Sequence, residues 1–492
     1  MKDTSKLNLG RETLIGLVSK FAMAAISFIG VVLFARWFGP VGYGIYRTAM
    51  AAALVVVQIP NGVGVAIKKR VSEVDVDPAP ILSIGIAIHV ATVLGAVILL
   101  FAFDDVATRY FTSFQIGFGA VAIVAALGAF TIMNQFFAGT GYPGKAITID
   151  AVRSYLTFAV QVLFIWFGFQ ELGLILGFAV ATLITAIGSA ITAGVVPALP
   201  SRDAFDRVSS FARWSVPTSL LSNMYSSADI LILRTVVGNA NVGFYSTALQ
   251  IAMPAVFLAG SIGSSLRVKA SGLASLGDDV LADLKNAISY AGLFTIPAFF
   301  GALAIPEGIM RTVFGGEFSP AGPALIGLTL FQVFNSYGKP FEAVIDGIDR
   351  PQLTFKVNLG VIVVHLPLAV ALGLEFGLVG VIAATVIAEA SRLVMFQYLS
   401  WTLFGNVIFP RPIFAQIGSA AVMFVIVIFV KHNFLTITSW AWLLLVVGLA
   451  ASIYFGLLTV ISNHFRNMID NTVGQFLPDA LRRYLRNETG SE

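Results

Sequence analysis

Fourteen apolar stretches, each long enough to cross a bilayer, take up most of this chain. A hydrocarbon core of about 30 Å needs roughly 20 apolar residues of helix. Inside it no water satisfies stray backbone groups, so only helices and closed barrels can span. A barrel is built from alternating segments of about ten residues, whereas these runs are continuous. The expectation is therefore an all-α polytopic membrane protein. Composition supports it. The 492 residues are 57% hydrophobic and 11% charged, with mean hydropathy +0.88. A soluble domain carries about 25% charged residues.

The stretches fall near 12–35, 44–66, 80–103, 115–138, 146–168, 174–196, 211–235, 243–265, 287–306, 321–343, 355–373, 378–401, 412–430 and 440–462. They are rich in Gly, Ala and Val, which allow helices to approach closely in lipid. With the N-terminus inside, 24 of the 30 Lys and Arg fall on the inner side. The positive-inside rule then predicts that both termini are cytoplasmic. No cleavable signal peptide is read at the N-terminus.

Several chemistries find no support. Cysteine is absent, so no disulfide framework, thiol nucleophile or Cys-based metal site is expected. His89, His365, His432 and His464 are scattered, without metal-ligand spacing. No GxxxxGK[ST] loop occurs, so ATP does not drive the chain directly. No cofactor and no nucleic-acid partner is expected.

An internal repeat organises the chain. Residues 31–49 read VVLFARWFGPVGYGIYRTA and residues 230–248 read ILILRTVVGNANVGFYSTA. Arg36 pairs with Arg234, Gly44-Ile-Tyr46 with Gly243-Phe-Tyr245, and Thr48-Ala49 with Thr247-Ala248. A weaker echo links Gly141-Tyr-Pro143 to Asp349-Arg-Pro351. The period of about 200 residues covers six spans, an even number. The copies are therefore parallel repeats about an axis along the membrane normal, with a substrate path at their interface. The expected organisation is an N-lobe over 1–200 with spans 1–6, a C-lobe over 201–402 with spans 7–12, and residues 403–492 with spans 13–14 and an amphipathic cytoplasmic tail.

The pattern L-x-A-R-x-x-G-P-x-x-Y-G-x-Y at 33–46 and its echo A-D-I-L-I-L-R-x-x-x-G-x-x-x-V-G-x-Y at 228–245 carry a resemblance. With fourteen spans in two six-span lobes, the chain resembles the oligosaccharide (polysaccharide repeat-unit) flippases of the multidrug/oligosaccharidyl-lipid/polysaccharide exporter superfamily. The resemblance implies a V-shaped cavity between lobes and transport of a glycan on a polyprenyl-type phosphate or diphosphate. The last pair of spans favours the glycan branches over the drug exporters, which usually have twelve.

A flippase makes no bonds, so no catalytic residue is expected. It needs cations in a hydrated cavity, and charges inside spans are where to look. Lys20 lies inside span 1, where a central charge costs roughly 2.5–3.5 kcal/mol. It either faces a cavity or snorkels to the interface. Arg36 and Arg234 end spans 1 and 7, as interfacial anchors or as head-group contacts. Arg47 sits a turn into span 2 beside Tyr43 and Tyr46, and its repeat partner is Ser246, so the fold alone does not demand the charge. Arg153 stands three residues after Asp150 in span 5, as an intrahelical pair or a phosphate contact. Asp229 in span 7 follows Asn223, Ser226 and Ser227. Glu389 pairs at the same three-residue spacing with Arg392. Asp229 and Glu389 are the candidates for H+ or Na+ coupling, with structural ion pairing as the alternative. Pro60, Pro217, Pro254, Pro297 and Pro367 mark bends. Residues 278–288 and the tail 465–486 have the pattern of helices lying on the inner leaflet.

These residues predict a plasma (inner) membrane flippase, not an enzyme. It would move a lipid-linked oligosaccharide to the outer leaflet by alternating access. Glycosyltransferases or polymerases of the same pathway would be its partners. An ion-coupled exporter of small organic cations is the alternative. A membrane glycosyltransferase or polymerase is a third reading, disfavoured by short outer loops.

Overall fold

The computed structural model describes the backbone of residues 9–73, 76–433 and 439–472. Side chains are described from residue 23 onward within those ranges, apart from Pro143, Ser226, Asn471 and Thr472. Among the described residues every regular element is helical. In chain order these are α1 (Leu9–Val71), α2 (Pro78–Ala102), α3 (Asp104–Phe111), α4 (Phe114–Gly139), α5 (Pro143–Trp166), α6 (Gln170–Ala193), α7 (Arg202–Val236), α8 (Asn239–Ala252), α9 (Phe257–Leu276), α10 (Leu281–Ala291), α11 (Thr295–Ala304), α12 (Pro306–Phe314), α13 (Gly322–Gly347), α14 (Pro351–Phe404), α15 (Pro412–Asn433), α16 (Trp440–Ile461) and α17 (Asn463–Thr472).

Each of the fourteen stretches meets a helix. Ten of the described helical segments are long and apolar enough to cross a membrane. Two of these, α1 and α14, are each a pair of spans joined at a glycine: Gly39 (φ 63, ψ −176) and Gly377 (φ 60, ψ −135). Only glycine adopts such angles without strain of order 1–3 kcal/mol. Helices α7 and α13 supply the two remaining spans and are too polar to qualify on hydropathy alone. The chain is thus an all-α polytopic membrane protein.

Contacts divide the chain into two compact units, Met1–Ser246 and Thr247–Glu492. In the first unit the second half of α1 is central, packed against α4 and α7. One apolar cluster joins Val63, Ala66 and Ile67 of α1 to Ile81 and Leu82 of α2, Phe136 of α4 and Val208 of α7. A second joins Ala49, Ala53 and Val57 of α1 to Ala120, Ile123 and Val124 of α4 and Ile175 of α6. Alanine recurs at these contacts because lipid supplies no hydrophobic force between helices, and close packing must hold them. Polar contacts pin the spans as well. His89 Nε2 lies 2.9 Å from the Ala125 carbonyl oxygen.

The α1–α7 seam runs along both helices. Just after the Gly39 kink α1 also meets α8, where the two glycines matched in sequence each approach the other segment. A Cβ on Gly44 would collide with the Asn239 carbonyl, and one on Gly243 with the Pro40 carbonyl. Further along, Ser215 Oγ donates to the Gly62 carbonyl at 2.6 Å. At the C-terminal end of α1 Arg70 donates from Nε to the Arg207 carbonyl (2.9 Å), from Nη2 to Ser210 Oγ (2.9 Å) and from Nη1 to Glu73 (2.8 Å).

In the second unit α13 packs on α9, α11 and α14, and α15 packs on α11 and α16. The Gln397 side chain holds the α14–α15 connection through both atoms of its amide. Nε2 donates to the Ile408 carbonyl (2.7 Å), and Oε1 accepts from the Ile408 N–H (2.9 Å). The expected bend at Pro254 is a 3₁₀ turn over Met253–Val256. The ninth span breaks between α10 and α11, just before Pro297. By contrast, α1, α7 and α14 continue past Pro60, Pro217 and Pro367.

Residues 278–288 do not form a separate interfacial helix. Leu284 and Ile288 of α10 are buried, with α9 and α13 packed on the helix. The apolar face pattern is the same whether lipid head groups or other helices cover it, so sequence did not separate the two. The tail is described only as far as α17, where Phe465 is buried and stacks on Phe455. Phe476, Leu481, Arg482, Arg483, Leu485 and Arg486 lie outside the described residues.

Candidate functional site

Two of the expected cations meet in the first unit. After the Gly39 kink, Tyr43, Tyr46 and Arg47 fall at three- and four-residue spacing, the spacing that puts side chains on one helix face. On α5, Arg153, Thr157 and Gln161 repeat the four-residue spacing. These faces line a cavity of about 190 Å³, closed on another side by Gly30 and Phe34 of the first span.

Arg153 makes an intrahelical pair with Asp150, with Nε and Nη2 on one carboxylate oxygen at 3.0 and 2.8 Å. Its guanidinium also lies over Phe130 and Phe178, at 5.0 and 5.7 Å from the ring centroids. Planar stacking of this kind suits Arg rather than Lys. Gln161 is buried, donates to the Leu174 carbonyl at 2.8 Å and reaches Tyr46 Oη at 3.4 Å. Arg47 is half-buried, and its buried Nε has no hydrogen-bond partner among the described residues. Two guanidinium groups and no carboxylate line the cavity. A buried donor without a partner costs about 1–3 kcal/mol, and more when charged. An anion entering the cavity would relieve that cost.

The other expected site residues lie elsewhere. Arg36 is exposed on α1. Arg234 ties α7 to α3, donating to the carbonyls of Tyr110 (2.6 Å) and Arg109 (2.8 Å) and stacking on the Tyr110 ring. Burial pushes that phenol up from 10.0 to about 12, against the smaller opposing effects of Thr235 and Arg234. Asp229 is 2% exposed and accepts a 2.6 Å hydrogen bond from Tyr245, its neighbour across the α7–α8 turn. In the second unit Glu389 is 1% exposed and lies 3.5 Å from Arg392. Lys20 is on α1, and its side chain lies outside the described residues.

A second cavity of the first unit involves residues not singled out as a site in the sequence. It measures about 340 Å³ and is lined by Gln58 and Asn61 of α1 and by Thr218, Ser219, Ser222 and Asn223 of α7. The signal was present as a polar stripe, Ser215, Thr218, Ser219, Ser222 and Asn223, repeating at three and four residues along a transmembrane helix. The second unit has an apolar cavity of about 350 Å³ under Phe299, Phe334, Phe341 and Phe409.

Comparison with known proteins agrees with this architecture. The chain is 25% identical over 457 residues to the probable low-salt glycan biosynthesis flippase Agl15 of Haloferax volcanii, covering 92% of this chain and 94% of that one. It is 22% identical over 468 residues to the probable flippase AglR of the same organism, covering 92% and 96%. Among solved structures it superposes on the lipid II flippase MurJ in an inward closed conformation, with a TM-score of 0.78 at 16% identity. That match covers 93% of this chain and all of MurJ. An inward-facing multidrug resistance MATE family transporter of the MOP superfamily matches at a TM-score of 0.63 and 16% identity, over 78% of this chain and 96% of that one. The family described as polysaccharide biosynthesis protein matches residues 9–266, more than half of the length, and the chain belongs to that family.

Proposed function

We propose that this protein moves a lipid-linked glycan, carried on a polyprenyl-type phosphate or diphosphate, from the cytoplasmic to the outer leaflet. The observation that carries the reading is the arginine-lined cavity in which Arg47, half-buried on α1, offers an unpartnered donor beside Arg153. A phosphate fits the planar fork of an arginine better than any neutral group does. The names of the relatives point the same way: a glycan biosynthesis flippase and a lipid II flippase.

In this reading the protein lies in the plasma membrane with both termini cytoplasmic. The repeat lobes over 1–200 and 201–402 alternate access to the two leaflets. Asp229 and Glu389 are the carboxylates through which H+ or Na+ would couple, Lys20 and Arg36 assist the anion at the cavity approaches, and Arg234 holds the frame of α7. The carrier lipid would arrive already loaded by glycosyltransferases and leave to a polymerase or glycan transferase. Export of organic cations is less well supported, because the cation-rich cavity repels such cargo.

The test is transport of a labelled polyprenyl diphosphate oligosaccharide in proteoliposomes, followed by protection of the glycan from an added lectin. Wild-type protein should equilibrate the label between leaflets, and Arg47→Ala with Arg153→Ala should not. Equal rates for the two, or no movement by the wild type while a cationic dye is transported, would overturn the proposal.

A further inference from the structure

We propose that the uncharged pocket between α1 and α7 binds the glycan of the cargo, at a fixed distance from the arginine cavity. The inference rests on the flippase reading and adds to it the part of the substrate that the pocket recognises. Three features support it.

The pocket is lined by two amides of α1, Gln58 and Asn61, and by Thr218, Ser219, Ser222 and Asn223 of α7, with no charged group among them. Polar side chains at transmembrane depth are costly unless they meet partners or water. Here they converge from two packed helices on one space. An anion would be drawn to Arg47 and Arg153 instead, and a cation to a carboxylate. A neutral polyol with acetamido groups matches a wall of amides and hydroxyls, which both donate and accept.

The α1 amides are held in register. Gln58 Nε2 donates to the Leu54 carbonyl at 3.0 Å, and Gln58 Oε1 accepts from Asn61 Nδ2 at 3.0 Å. Those two bonds fix both side chains and leave the Asn61 carbonyl oxygen as an acceptor for a sugar hydroxyl. Such preorganisation lowers the ordering cost of binding.

The two cavities lie on one face of one helix. Arg47 and Gln58 are eleven residues apart, close to three full turns, which separates them by about 16 Å along the axis. A diphosphate at Arg47 and a glycan of several units lying along the same face would occupy both. The helix thus sets a minimum glycan length for engaging the second pocket.

Full-length protein in lipid nanodiscs is titrated, by tryptophan fluorescence, with a polyprenyl diphosphate bearing no sugar, a disaccharide or a tetrasaccharide of N-acetylhexosamine. The tetrasaccharide form should bind about tenfold more tightly than the sugar-free form, a difference of about 1.4 kcal/mol. The disaccharide, too short to run three turns, should gain little. Asn61→Leu with Ser222→Ala should remove the gain and leave sugar-free binding unchanged. The near-isosteric Thr218→Val with Ser219→Ala should do the same should the first variant not fold. Equal wild-type affinity for the three probes, or a variant that weakens all three alike, would overturn the inference while leaving the flippase reading standing. Binding of the sugar-free carrier that ignores Arg47→Ala counts against the flippase reading instead. No binding of any probe would overturn both.

Discussion

Arg47 on α1 and Arg234 on α7 are both arginines within the repeated segments, yet they do different things. Arg234 donates two hydrogen bonds to backbone carbonyls of α3, whereas the buried Nε of Arg47 has no hydrogen-bond partner among the described residues. The repeat offered a hint, since Arg47 is matched by Ser246 and Arg36 by Arg234. Which carbonyls lie within reach of a guanidinium depends on α3, a short helix that its eight polar and apolar residues do not announce. Arg47→Ala is expected to reduce head-group affinity ten- to hundredfold, from the loss of a charged hydrogen bond of about 1.5–3 kcal/mol. Arg47→Lys should retain part of it, because the point charge stays and the fork is lost. Arg234→Ala should leave that affinity unchanged and lower thermal stability. Titration of Tyr110 gives a separate readout. Its phenol stays protonated up to about 12 in the folded protein and only to 10.0 in the unfolded chain. The associated stability is fully present below pH 10 and is lost as pH rises from 10 toward 12. Thermal melts of Tyr110→Phe should show a smaller loss across that interval than the wild type.

Helices were legible wherever twenty apolar residues ran together, and even the polar α7 and α13 fell where they were expected. What escaped was how consecutive spans are joined. Gly39 and Gly377 turn the chain without a loop, because positive φ reverses direction within one residue. Prolines read as bends do not mark the joints between spans: helices pass through Pro60, Pro217 and Pro367 without a break. Short helices such as α3 and α12 have too few residues for a periodic signal to emerge. The seam between α1 and α8 was legible in part: Gly44 and Gly243 stood out as repeat partners, but their contact with the opposite copy did not. Gly44→Ala and Gly243→Ala should each force that seam apart, lowering thermal stability by several degrees in a melt of the purified protein. A single-length control, Gly448→Ala, meets open space and should not. Cysteines at Pro40 and Asn239 should crosslink readily and stop transport until reduced. Undiminished transport with that pair fully crosslinked would remove lobe rocking as the mechanism.

At the scale of the whole chain, the absence of cysteine makes topology directly measurable. Cysteines introduced at Ser201 and Asp278 should react only with membrane-permeant reagents, and cysteines at Asp105 and Asn433 should react from outside in intact cells. The reverse pattern would invert the orientation read from Lys and Arg. The likeness of residues 31–49 to 230–248 was openly written in the sequence, and the contacts of Gly44 and Gly243 give it a spatial meaning. Gly44 meets Asn239 while Gly243 meets Pro40, and these four positions are two pairs of equivalents. Reciprocity of that kind is the mark of an isologous contact between two identical subunits. The two copies differ close to the joint: one carries an arginine at position 47 where the other carries a serine at 246. A cargo with an anion at one end and sugars at the other would meet unlike side chains from the two copies.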